Sequence, residues 1–392
     1  MGSAPVYDVD FYSDAFIADP LPHYRAMRAL GPLVWLPHQS AYAAVQHRAV
    51  VDVLRAPDLF QSGQGLSLND DVNKRLIGST LNTDGDRHKR QRAITAKPIM
   101  PTPLKDLEPF IQRAAADLAA LLCERGRFDA VHDFAQILPM SIVTELVGLP
   151  AHGKAKMLEW AAATFNLFDG FNQRSQDSFA ELVDLRDFLD EYGQPEHLAP
   201  DGLARRIFDE APKSGFSVDD AAQLMRDYIN PSLDTTISAA GFFAYYFATC
   251  PDQWDAIRED VDLIDNAIEE IVRLSTPIRS LSRRVTRDTV YGDVDLRTGD
   301  RIMVVYASAN RDESVFDNPD AFDVRRKTHK HVGFGHGKHM CMGLHLARLE
   351  LKHLVREMRT RVNSWHLDGA PETAMNNTIR AFEQLPVRVE LG

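Results

Sequence analysis

Between residues 104 and 275 apolar side chains recur at three- and four-residue steps in one stretch after another, which leaves little room for anything but helices. Residues 104–124 (LKDLEPFIQRAAADLAALLCE) are the clearest case, rich in Ala and Leu, and residues 130–149, 177–192, 217–249 and 251–275 read the same way. The 217–249 stretch is long for a globular helix and carries Pro231 in its interior. Proline deletes one backbone N–H and its ring crowds the preceding turn, so a kink or opening is expected at residues 230–234. Strand patterning is short and peripheral. Residues 33–36 with 41–45 predict one hairpin, 289–296 with 301–305 a second, and 386–391 an edge strand. No internal repeat or Gly/Ser linker divides the 392 residues. The expectation is a single domain over residues 1–392, mainly α with small peripheral β-sheets.

A formal net charge of −12 argues against general nucleic-acid binding, which needs a basic face. Cys123, Cys250 and Cys341 are too few and too scattered for a disulfide framework, so a reducing compartment is expected. The first twenty residues carry Asp8, Asp10, Asp14 and Asp19 without an apolar run, and no stretch approaches the roughly 18 apolar residues of a membrane span. A soluble, cytoplasmic protein without a membrane or nucleic-acid partner is expected.

The segment HVGFGHGKHMCMGLHLARLE, residues 331–350, is the most informative. It places Cys341 in a glycine-rich loop just before a predicted helix from Leu344. Gly335, Gly337 and Gly343 permit backbone shapes and close approaches that a side chain would block. N–H groups near a helix start favour a thiolate. Three readings compete: a small buried hydrophobe, a zinc site with His336, His339 and His345, or the axial ligand of a haem iron. Zinc leaves the glycines unexplained and fits no paired spacing.

Residues 334–348 resemble the haem-binding signature of cytochromes P450, with Phe334, Gly335, Gly337, His339, Cys341, Gly343 and then Leu346-Ala347-Arg348 in register. The resemblance implies the P450 fold, haem b as cofactor and Cys341 as the iron's axial ligand. It extends along the chain. Glu270 and Arg273 look like the family's Glu-x-x-Arg pair, which the family ties to a residue near 322–325. His88, Arg92, Arg283 and His339 resemble the groups that hold the haem propionates. Pro231-Ser232-Leu233-Asp234-Thr235-Thr236 looks like the oxygen-activating segment; Asp234 and Thr235 fit, whereas Pro231 and Ser232 stand where small Ala/Gly residues are usual.

By the same resemblance the protein is a monooxygenase that inserts one atom of O2 into a substrate C–H bond, with Asp234 and Thr235 handling the protons. The chain carries no flavin, nicotinamide or iron–sulfur fingerprint, so its electrons are expected from a [2Fe-2S] ferredoxin and a ferredoxin reductase using NAD(P)H. Arg325, Arg326, Lys327, Lys330 and Lys338 form a local basic run suited to an acidic ferredoxin, or simply a solvated face. Residues 75–80, 165–168, 227–230 and 376–378 look closest to bacterial P450s acting on para-substituted benzoates. That likeness implies that Arg75 holds a carboxylate and that Phe165 and Phe168 enclose the ring. Asp227 and Asn230 depart from it, standing where small hydroxyl residues are usual. An inward Asp227 carboxylate repels an acid, and would pair with Arg75 or accept a phenol or amine hydrogen bond. A small aromatic acid or phenol, O-demethylated or hydroxylated, is the expected substrate. The alternatives are a terpenoid or fatty-acid monooxygenase and a haem sensor without turnover.

Overall fold

The computed structural model describes residues 3–150, 153, 155–168, 172–229 and 231–392. Its centre is the helix Asp234–Thr249, apolar on nearly every side (Ala239, Ala240, Gly241, Phe242, Phe243, Ala244, Phe247), as a helix surrounded by protein must be. It lies against the turn Ala130–Ala135, the helix Ile264–Ser275 and the strand Val362–Leu367. Phe134, Phe243, Phe247, Trp254 and Trp365 interlock around it, with Phe243 and Trp365 edge to face at 5.5 Å. A second layer pairs the long helix Pro101–Arg125 with Leu344–Arg359, the helix that follows the cysteine loop. No helix among the described residues is long and apolar enough to cross a membrane.

The proline in the 217–249 stretch breaks it as expected: one helix runs Val218–Ile229 and the next begins at Asp234. The Pro231 carbonyl is taken by the Thr235 hydroxyl at 3.0 Å. Residues 251–275 also divide, into Pro251–Glu259 and Ile264–Ser275, because Asp260 turns its side chain back to cap Asp262 N. The 130–149 stretch opens with a wide π turn before the helix Ile137–Val147, and the 177–192 stretch is helical from Phe179.

Two strand expectations are corrected. Residues 289–296 form a hairpin by themselves, Thr289–Tyr291 against Val294–Leu296, turning at Gly292 with φ +59°. Arg301–Val304 pairs instead with Leu281–Val285, antiparallel, and with Ala41–Ala44, parallel, in a five-stranded sheet. Pro386–Leu391 is a central strand, not an edge, flanked by Arg127–Asp129 and Val362–Leu367. The hairpin Leu33–Leu36 with Ala41–Ala44 forms as predicted.

Candidate active site

Cys341 sits in a loop held at both ends. Its N–H donates to Phe334 O at 2.8 Å, and Arg92 donates to Met340 O at 2.7 Å. Gly335 and Gly337 both adopt φ +71°, and a Cβ on Gly337 would stand 2.6 Å from Leu54 O, so this turn requires glycine. Burial raises the Cys341 thiol above its ordinary value, while the N–H groups of Gly343 and Leu344 and the charges of Arg92 and Arg348 oppose that rise. The surface that Cys341 exposes faces an internal cavity of about 270 Å³.

Thr235, Pro231, Phe334, Gly335 and Gly343 share that cavity wall. Asp234 lies off the wall, and burial pushes its carboxyl up to about 7. Phe165 and Phe168 meet edge to face at 5.8 Å and join Leu66 and Ile379 in an apolar cluster on the cavity's side. Arg75 stands exposed at the margin with its guanidinium 5.2 Å from the Phe179 ring. Asp227 is buried and accepts from Thr80 N at 3.3 Å; no Arg75 pairing forms. Asn230 lies outside the described residues.

Over residues 146–361 the chain matches the family model described as Cytochrome P450. The chain belongs to the cytochrome P450 family. It is 31% identical to cytochrome P450 CYP199A2 of Rhodopseudomonas palustris over 98% of this chain and 94% of that relative. It is 30% identical to a steroid C26-monooxygenase of Mycolicibacterium smegmatis over 97% of this chain and 96% of that protein. Among solved structures, P450BioI bound to an acyl-carrier protein superposes with a TM-score of 0.85 at 22% identity, over 96% of this chain and 100% of that one. CYP109E1 of Bacillus megaterium superposes with a TM-score of 0.86 at 21% identity, over 96% of this chain and 99% of that one. These two show the fold alone. This P450 is a monooxygenase with haem b as its cofactor.

The residues present fit that cofactor. His88, Arg92, Arg283 and His339 crowd together, with the His88 and His339 rings 4.2 Å apart. Asp84 is the carboxylate among them, bonded to His339 at 3.0 Å and to Gly63 N. Burial, then the charges of His339 and Arg92, pushes His88 down to about 4, and its Nε2 is buried without a partner. His88 is thus neutral at pH 7, and with the Arg92 and Arg283 guanidiniums it forms a set of donors suited to carboxylates, of which haem b carries two. A Cβ on Gly343 would meet no protein atom within 4 Å, leaving that part of the cavity free for a flat ring.

Glu270 and Arg273 are both fully buried and joined twice, at 2.7 and 2.8 Å. Arg273 reaches Asn310 O and Pro319 O, while Glu270 accepts from Asp323 N and from Arg326 at 2.9 Å. The ionic partner is thus one residue beyond the expected 322–325. It also corrects the docking surface: Arg326 is spent inside this clamp, and the exposed cations are Arg325, Lys327, Lys330 and Lys338.

Three further groups escaped the sequence reading. Glu269 accepts from His331 at 2.8 Å and from Arg348 at 2.6 and 2.8 Å; burial raises its carboxyl, but these bonds outweigh that and bring it to about 2. Arg348 in turn lies over the Phe334 ring at 4.8 Å. Glu350 is buried with Oε2 unpartnered, and burial pushes it up to about 8. Arg226 lines the cavity with no hydrogen bond or ion pair among the described residues.

Proposed function

We propose that this P450 oxidises a small aromatic acid or phenol, by O-demethylation or hydroxylation, with electrons from a [2Fe-2S] ferredoxin served by an NAD(P)H-dependent reductase. The observation that carries the reading is a largely apolar cavity lined by Phe165 and Phe168 as well as by Cys341 and Thr235. Arg75 and Arg226 also line it, and a guanidinium can hold a carboxylate in two parallel bonds. The likeness to the benzoate group of P450s points the same way.

In this reading Cys341 holds the iron, and His88, Arg92, Arg283 and His339 hold the propionates. Haem ligated by a thiolate supplies, when bound, the electron density that favours O–O cleavage. The protein's own part is proton traffic and positioning. Asp234, at about 7, both takes up and releases a proton near neutral pH, and Thr235 beside it presents a hydroxyl to the cavity. In this reading Asp234 exchanges protons with solvent, and Thr235, whose hydroxyl donates to Pro231 O at 3.0 Å, turns its oxygen lone pairs toward the cavity. Phe165 and Phe168 hold the ring, Glu270 and Arg273 hold the approach to the thiolate loop, and Arg325, Lys327, Lys330 and Lys338 steer an acidic ferredoxin.

Titrating the purified holoprotein with substituted benzoates, phenols, terpenes and fatty acids tests the substrate class through the haem spin-state shift. Aromatics are expected to shift it most; a shift by terpenes or fatty acids alone overturns the reading. Thr235→Ala is expected to keep the substrate-induced shift while product per NAD(P)H falls several-fold. Unchanged coupling would remove Thr235 from its role.

A further inference from the structure

The helix Val218–Ile229 brings Asp227 to the cavity wall opposite the segment that carries Thr80. Asp227 is 7% exposed and Thr80 3%, so both are shielded from bulk water. One carboxylate oxygen of Asp227 takes a long hydrogen bond from Thr80 N at 3.3 Å. The Thr80 hydroxyl, also on the wall and buried, lies close enough to the Asp227 carboxylate to help hold its pKa down, but makes no well-aligned hydrogen bond. A carboxylate with acceptor capacity to spare thus stands beside a poorly satisfied hydroxyl. Leaving such groups unpaired costs about 1–3 kcal/mol each, so a ligand group that completes both is selected strongly.

The chemistry of that group is narrow. It must donate to Asp227, and toward the Thr80 hydroxyl, itself both donor and acceptor, it can do either. An aromatic hydroxyl meets both demands, whereas an ionised carboxylate cannot donate to Asp227. We propose that Asp227 and Thr80 form a subsite for a phenolic hydroxyl, and that this subsite makes phenols better ligands than the matching benzoates. The inference rests on the aromatic reading above and narrows it.

The surrounding charges set the balance. Burial is the main influence on Asp227 and pushes its carboxyl up to about 6, opposed by the Thr80 bonds and the charge of Arg92. At pH 7.5 it is therefore mostly ionised and repels a benzoate. Arg226, the preceding residue on the same helix, pulls the other way, and the buried neutral Tyr228 follows. Preference between the two head groups thus weighs Asp227 against Arg226.

The holoprotein, titrated at pH 7.5 with 4-methoxyphenol and 4-methoxybenzoate and followed by the Soret spin shift, decides the matter. The expected result is at least tenfold tighter binding of the phenol. Asp227→Asn should shrink that ratio at least tenfold, and Thr80→Val should weaken the phenol several-fold while leaving the benzoate unchanged. Calorimetry on the same samples guards against ligands that bind without shifting the spin state. Benzoate binding as tight as phenol, or a ratio indifferent to both substitutions, overturns the subsite while the aromatic reading stands. If neither compound binds and a terpene or fatty acid does, both fall.

Discussion

Two polar regions meet at the cavity and are built on opposite terms. Beneath the thiolate loop two carboxylates are fully matched: Glu270 with Arg273 and Arg326, Glu269 with His331 and Arg348, all at 2.6–2.9 Å. Along the cavity several groups are poorly matched: the Thr80 hydroxyl and Glu350 Oε2 are buried without a well-aligned partner, as is His88 Nε2 beside the wall residue His339, and Asp227 has one long bond. The matched region is scaffold, and its completeness holds the loop that carries the Cys341 sulfur. The unmatched region is strained by its own incompleteness, and carboxylates or hydroxyls from outside relieve it. Saturation marks what holds the site, and deficit marks what the site receives.

The contrast breaks if both regions respond alike to truncation. Arg273→Ala should have the largest effect, because it takes from the fully buried Glu270 its doubly bonded partner, leaving only Arg326, and also frees Asn310 O and Pro319 O. A loss of about 3–5 kcal/mol is expected, read as a fall in the urea midpoint and in the yield of haem-loaded protein. A loss no greater than that of a surface variant would mean the clamp is not structural.

Glu350→Gln should act in the opposite direction. The folded chain holds a proton on Glu350 up to about pH 8, whereas the unfolded chain releases it near 4.5, so stability drains away as pH rises between those values. Gln cannot ionise. A gain on the order of 1–3 kcal/mol at pH 7.5 and almost none at pH 4.5 is expected from thermal unfolding at the two pH values. A pH-independent change would assign the effect to packing. Smallest of all should be Lys74→Ala, whose partner Asp71 is solvent-exposed. Its urea midpoint should not move.

What the sequence made legible follows the range over which each signal acts. Helical periodicity, the Pro231 break and the glycines around Cys341 are local, and all three reappear in the structure. Asp84 was silent because its partner His339 lies 255 positions away, and Glu269 because His331 and Arg348 lie 62 and 79 positions on. The strand Pro386–Leu391 read as an edge since one of its two neighbours, Arg127–Asp129, is only three residues long and lies far earlier in the chain. Arg326 looked like one more surface cation because a run of basic residues does not reveal which member turns inward. Arg226 and Glu350 carried no local signal at all. Only the cavity they face singles them out.

The gap at Pro231 has a consequence for how the pocket behaves between turnovers. Because proline has no N–H to offer, joining the two helices on either side into one carries a standing cost of about 3 kcal/mol even when the pocket empties, and the Thr235 hydroxyl already occupies the Pro231 carbonyl. The notch is thus written into the covalent chain and does not depend on a guest to pry it apart. A newcomer spends none of its affinity on opening it.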